Sequence, residues 1–256
     1  MRIFCYNYII AKTRKGYNSM KNIFITGVSS GLGEALCKTY LERGDAVYAI
    51  GRNLPKALDS HPHFFFFPLN LEETYTLKKR LQDFIQKRSF ETAVLNAGVL
   101  GEIKPLHETE LHEIEKVMRI NVLANKEIID GLSEYANVKQ VVGISSGASV
   151  NGSKGWGAYS LSKAGLNMLL NVYAKELPEI HFTALAPGVI DTKMVRHIIQ
   201  EVDEKTYSSV TRLREGHIQT PREAAGRLVH TFPKLFAYES GSFLDIRTMD
   251  EAQAKP

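Results

Sequence analysis

Cysteine is scarce: the 256 residues contain only two, Cys5 and Cys37. That excludes a disulfide framework and fits a reducing compartment, the cytoplasm. No apolar run approaches the ~20 residues a helix needs to cross a bilayer, so no membrane partner is expected. No Gly-Lys-Ser/Thr follows the glycine-rich turn near residue 30, which excludes a Walker-type phosphate loop. There is no internal repeat, no low-complexity tract and no linker that would divide two domains. Acidic residues are missing from residues 1–19, which hold Arg2, Lys12, Arg14 and Lys15. That segment alone accounts for the formal charge of +4. The rest sums to zero, which argues against a nucleic-acid-binding face.

The first nineteen residues also lack a clear period, and a strand pattern begins directly after Met20. They read as an unstructured extension or a mis-assigned start with translation beginning at Met20; a basic, acid-free targeting peptide is the other reading open. Residues 20–256 read as one domain. An apolar content of 44% is enough for a large core.

From residue 21 short apolar runs alternate with helical patterns. Strands are expected at 22–26, 46–50, 64–69, 92–96, 140–145, 181–186 and 242–246. Helices are expected from Gly33 to a stop at Gly44, then over 71–88, 107–126 and 158–176, and again from the capping sequence Thr220-Pro221-Arg222-Glu223. The four phenylalanines at 64–67 suggest a strand buried on both faces. The alternation implies an α/β fold with a doubly wound parallel sheet.

Two stretches carry chemistry. The turn TGVSSGLG at 26–33 has glycines at 27, 31 and 33, which let the backbone turn tightly and approach a pyrophosphate at the start of a helix. The stretch SSGASVNGSKGWGAYSLSK at 145–163 holds three groups suited to proton transfer. Tyr159 and Lys163 are four apart and share a helical face. A nearby cation favours the phenolate and lowers the phenol's pKa. Ser146 ends the apolar run before them, at the sheet edge where ligands of open α/β sheets gather. Met194 to His217 is the least regular stretch and is rich in charge. Trp156, the single tryptophan, is flanked by glycines and is expected in the substrate pocket.

At the end of the second strand stand Gly51 and Arg52, where a dinucleotide without a 2′-phosphate usually meets an acid. Arginine there can pair with a 2′-phosphate, which favours NADP over NAD. Asn121 interrupts a helical pattern in which asparagine is a mediocre helix former, so a distorted helix or a bound water is expected there.

TGVSSGLG, LNAG at 95–98, Asn121, Ser146, Tyr159-x-x-x-Lys163 and PGVIDT at 187–192 together resemble the short-chain dehydrogenase/reductase family, in its single-domain form. The resemblance covers residue 21 to about 248. Within the family, residues 145–168 and the ending SGSFLDIR are most similar to the sepiapterin reductase and bacterial benzil reductase branch. The resemblance implies a Rossmann fold of about seven strands in order 3-2-1-4-5-6-7. It implies an NADPH-dependent reductase of ketones or 1,2-dicarbonyls, with no metal, working as a homodimer or homotetramer. Tyr159 would be the general acid, Ser146 would hold the carbonyl oxygen, and Lys163 would tune the phenol and bind the nicotinamide ribose. Asn121 would hold a water for proton resupply. Gly27, Ser29, Gly31, Leu32 and Gly33 would line the pyrophosphate and adenosine ribose, with Arg52 at the 2′-phosphate. Asn70, Asn96 and Gly98 would lie by the adenine and its ribose, and Ile190 and Thr192 at the carboxamide.

Three positions depart from the family pattern. Asn70 stands where Asp is usual, and Ser30 where many NADP-preferring members carry Arg or Lys. Thr248, followed by Asp250, stands near the acid with which sepiapterin reductases anchor the pterin. The last departure favours a general carbonyl or diketone reductase over a pterin reductase. A non-catalytic dinucleotide sensor is a further alternative, but it has no need of the intact set Asn121, Ser146, Tyr159 and Lys163. A methyltransferase with a similar sheet would leave the Tyr-x-x-x-Lys element and the Pro-Gly turn unexplained.

Overall fold

The strand NIFIT, Asn22–Thr26 (β1), lies inside the sheet, paired on both sides. Its register with Ala46–Gly51 (β2) runs from Asn22 opposite Ala46 to Thr26 opposite Ile50. On its other side it pairs in parallel with Thr92–Leu95 (β4). Phe64–Pro68 (β3), Gln140–Ile144 (β5), His181–Ala186 (β6) and Ser242–Asp245 (β7) complete seven parallel strands in the order β7-β6-β5-β4-β1-β2-β3. This is the expected doubly wound order. The computed structural model describes residues 20–249. The expected extension at 1–19 and Asp250 lie outside the described residues.

The strands read as nearly unbroken apolar runs because helices cover both faces. Side chains of β1 alternate between two cores. Phe24 joins Ala46, Tyr48 and Ile50 in one; Ile23 and Ile25 join Val47 and Ala49 in the other. The first core is closed by helices Thr74–Ile85 (α2), Ala124–Tyr135 (α4) and Gly157–Glu176 (α5), and the second by Gly31–Glu42 (α1) and Pro221–Thr231 (α8). Thr220 and Glu223 form the capping box read from the sequence: the Glu223 amide donates to Thr220 Oγ1 and the Thr220 amide to Glu223 Oε2. No helix among the described residues is long and apolar enough to cross a membrane.

Two expectations are corrected. The phenylalanine strand is the sheet's edge, not buried on both faces: Phe65 is 40% exposed. Its aromatic rings are sheltered sideways instead, Phe65 stacking on Tyr48 at 4.7 Å and Phe67 on Phe84 at 5.4 Å. Pro68, which has no N–H to donate, is tolerated because an edge strand has an unpaired side. The helix expected over 107–126 is broken. It comprises Leu111–Met118 (α3), a π-turn at Arg119–Leu123 and α4, preceded by a 3₁₀ turn at Leu106–Glu108. The distortion sits on Asn121, as its poor helix propensity suggested.

Candidate active site

The carboxyl ends of β1, β2, β4, β5 and β6 open into a cavity of about 660 Å³. At one end is the glycine turn. Gly27 has φ +71°, and a Cβ there would lie 2.7 Å from Ala97 Cα. A Cβ on Gly33 would lie 2.1 Å from the Gly27 carbonyl oxygen, so the turn closes only without side chains. Asn96 Nδ2 donates to the carbonyls of Thr26 (3.1 Å) and Gly27 (3.0 Å), and the Ala97 amide donates to Thr26 Oγ1 (2.9 Å). Helix α1 starts at Gly31, and its N-cap Ser30 makes no side-chain cap, so the first-turn amides remain for another acceptor. Ser29, Ser30, Gly31, Leu32, Asn70 and Arg52 line this end. Arg52 is exposed and has no ion pair or hydrogen bond among the described residues.

The other end holds the proton-transfer groups. Tyr159 and Lys163 lie one turn apart on α5, with Lys163 Nζ 5.7 Å from the Tyr159 ring centroid. Lys163 is 4% exposed and donates to the Ile144 carbonyl at 2.7 Å. No carboxylate among the described residues meets it, and burial lowers its pKa from 10.5 to about 8. Burial raises the Tyr159 phenol, while its hydrogen bond with Ser146 pulls the other way. Burial of the ring thus works against the lowering expected from Lys163.

Ser146 caps the 3₁₀ turn Gly147–Ser149 in extended backbone, its Oγ accepting from the Ala148 amide at 3.2 Å. A second layer holds that turn. Ser149 Oγ donates to the Ser146 carbonyl (2.6 Å), Asn167 Nδ2 donates to Ser149 Oγ (2.8 Å), and Ser145 Oγ donates to Asn167 Oδ1 (2.6 Å). Sequence reasoning passed over Asn167, Ser145, Ser149 and Ser162. For Asn167 the signal was present: it lies one turn beyond Lys163 on the face that carries Tyr159.

Three predicted residues sit differently from expectation. Asn121 is fully buried, and both of its amide N–H groups are taken, by the Val99 carbonyl (2.8 Å) and Ser162 Oγ (2.9 Å). Its Oδ1 accepts from the Val99 amide at 2.8 Å, so it clamps the segment after β4 rather than offering its amide donors to a water. Asn96 gives both amide hydrogens to the glycine turn and lines the cavity beside it. Gly98 belongs to the catalytic end: a Cβ there would lie 3.5 Å from Lys163 Nζ and 3.3 Å from Asn121 Oδ1.

The irregular stretch folds as Lys193–Glu201 (α6) and Ser208–Glu215 (α7). Thr192 caps α6, its Oγ1 accepting from the Val195 amide at 3.4 Å. The two-residue strands Val189–Ile190 and Ile218–Gln219 pair in parallel and hold both ends of the segment. Ile190 and Thr192 line the cavity, as do Met194, Val195, Ile198 and Leu213. Trp156 Nε1 donates to Ser209 Oγ at 2.7 Å, and its ring meets Tyr159 edge-on at 6.0 Å between centroids. The segment thus packs on the tyrosine through a small apolar cluster that includes Leu100, Ile198 and Val210. Thr248 does not line the cavity; its neighbour Arg247 does.

A seven-stranded parallel sheet with a glycine cradle and a Tyr-x-x-x-Lys face at one edge defines a dinucleotide-dependent oxidoreductase. The chain belongs to the short chain dehydrogenase family, whose model matches residues 21–203. It is 32% identical over 247 residues to the benzil reductase ((S)-benzoin forming) of Bacillus subtilis (strain 168), covering 89% of this chain and 99% of that one. It is 30% identical over 228 residues to the enzyme of the same name from Bacillus cereus, covering 80% and 91%. The crystal structure of a short chain dehydrogenase/reductase from Saccharomyces cerevisiae superposes with a TM-score of 0.76 at 25% identity, covering 92% of this chain and 100% of that one.

Proposed function

We propose that this protein is an NADPH-dependent carbonyl reductase acting on a ketone or 1,2-dicarbonyl, with Tyr159 as general acid. The observation that carries this is one cavity bearing a guanidinium with no partner among the described residues, Arg52, at one end and Ser146, Tyr159 and Lys163 at the other. Two relatives named benzil reductase support the substrate class. An Arabidopsis thaliana NADPH-dependent pterin aldehyde reductase, 26% identical over 191 residues, supports the coenzyme.

The residues fit a dinucleotide. The side-chain-free cradle at Gly27, Gly31 and Gly33, Ser29, Leu32 and the uncapped amides of α1 would hold the diphosphate. Arg52 would meet the 2′-phosphate, Asn70 the adenine, Lys163 the nicotinamide ribose, and Ile190 and Thr192 the carboxamide. The coenzyme, when bound, supplies the hydride. Ser146 holds the substrate oxygen where negative charge develops. Tyr159 passes its proton to that oxygen, and burial keeps the phenol protonated at neutral pH, the state an acid needs. Asn121 keeps the segment after β4 and the start of α5 in register, since Ser162, which it contacts, donates to the Tyr159 carbonyl at 2.7 Å.

The coenzyme assignment is tested at Arg52. Arg52→Ala weakens NADPH binding about 10- to 100-fold, the scale of a charge-assisted hydrogen bond, and leaves NADH binding unchanged. Fluorescence titration with both coenzymes measures this; equal efficiency of the wild type with NADH and NADPH overturns the assignment.

We also propose a homodimer or homotetramer. Leu161, Met168 and Val172 lie on one stripe of α5 and are 49%, 62% and 43% exposed, beside Leu123 of the π-turn at 52%. A patch of this kind suits a second copy of the same chain. Met168→Glu is expected to shift the protein to monomer in analytical ultracentrifugation; a monomeric wild type refutes the pairing.

A further inference from the structure

We propose that Arg247 recognises the second oxygen of a 1,2-dicarbonyl substrate, and that the site thereby prefers such substrates over simple ketones. This deepens the carbonyl reductase reading and rests on it. Arg247 follows β7, whose last residue, Asp245, lies opposite Ala186 at the ligand edge of the sheet. Its guanidinium is fixed as a fork on Asp245, with Nε donating to Oδ1 at 2.9 Å and Nη2 to Oδ2 at 2.6 Å. The Arg247 amide also donates to Oδ1, at 3.0 Å.

That fork aims the side chain across two glycines. Its Cδ lies 3.8 Å from where a Cβ on Gly188 would be, and its Nη2 3.8 Å from where a Cβ on Gly147 would be. Gly147 directly follows Ser146, and all of these residues line one cavity. A cationic donor group therefore stands against Gly147, the residue next to the serine that would hold the reacting carbonyl. The guanidinium has five N–H groups and Asp245 takes two of them, which leaves donors for a ligand. Its charge is already met at bonding distance, so the surplus donors suit a neutral oxygen better than a carboxylate. Around them the cavity wall is apolar at Trp156, Met194, Ile198 and Leu213. Adjacent carbonyls fit this arrangement, one oxygen going to Ser146 and Tyr159 and the other to Arg247. A monoketone leaves the guanidinium with nothing to bind.

The test compares three substrates with NADPH: 1-phenyl-1,2-propanedione, the matched monoketone propiophenone, and the anionic 2-oxo acid phenylglyoxylate. Wild type is expected to favour the diketone. Arg247→Met is expected to lower kcat/KM for the diketone about 10- to 100-fold, the range for a hydrogen bond from a charged donor, with propiophenone within about twofold. Its affinity for NADPH, read by fluorescence, stays that of the wild type. Asp245→Asn removes the countercharge and is expected to raise the relative rate on phenylglyoxylate. An unchanged diketone-to-monoketone ratio in Arg247→Met overturns the assignment while leaving the reductase reading intact, as does a wild type that prefers phenylglyoxylate. A wild type that reduces none of the three overturns both.

Discussion

Tyr159→Phe is expected to lose about a thousandfold in kcat while binding NADPH as tightly as the wild type. The substitution removes one oxygen and leaves the ring, so the edge-on contact with Trp156 and the apolar cluster behind it survive. What disappears is the proton donor, and positioned acid–base groups are worth about 10²- to 10⁴-fold. The upper part of that range applies because no other acid is placed to substitute. Ser146 has a hydroxyl that is far too weak an acid, and Lys163 is engaged at the Ile144 carbonyl. Steady-state NADPH oxidation, together with coenzyme titration of the same preparation, measures both halves. More than a tenth of wild-type turnover in the variant removes Tyr159 from the proposed role.

Lys163→Met is expected to make the free protein more stable near neutral pH and nearly inactive. Lys163 is buried without a carboxylate, and its pKa falls from 10.5 to about 8. Holding the ammonium inside at pH 7 therefore costs about 3 kcal/mol relative to the unfolded chain. Methionine fills similar space without charge, although the Ile144 carbonyl loses its donor, which offsets part of the gain. A net stabilisation of about 1–2 kcal/mol remains. The pH dependence gives this a sign. Between pH 8 and 10.5 the unfolded chain holds the Lys163 proton more often than the folded one, so wild-type stability gains from this group as pH rises. Denaturant melts at pH 7 and pH 10 should show the variant's advantage shrinking at the higher pH. A variant less stable at pH 7, or an advantage that grows with pH, contradicts the account. Such a cost is what the proposed role of Lys163 at the coenzyme ribose and the phenol would account for, since the cation does not serve the fold.

Legibility followed distance along the chain. The strand runs, the capping box at Thr220 and the spacing from Tyr159 to Lys163 are short-range patterns, and the structure has them where the sequence suggested. The glycine turn was equally readable, since its need for Gly27 and Gly33 is local backbone geometry. Failures came where a neighbour remote in sequence decides. Phe64–Phe67 is apolar enough for a central strand and became an edge because no strand among the described residues pairs beyond it. Nor was it legible that Asn96 ties down Gly27 and that Gly98 packs on Lys163, contacts that span about seventy and sixty-five residues of chain.

Residue order by itself settled the alternation of strands and helices, the glycine turn and the Tyr-Lys face, because each depends on φ/ψ preference and periodicity within a few residues. Tertiary structure alone decided that Arg247 reaches the cavity, that Asn121 clamps Val99, and that burial raises the pKa of the Tyr159 phenol and lowers that of Lys163. Those are consequences of which groups are brought together away from water, and desolvation and pairing energies do not exist until the sheet has closed around them.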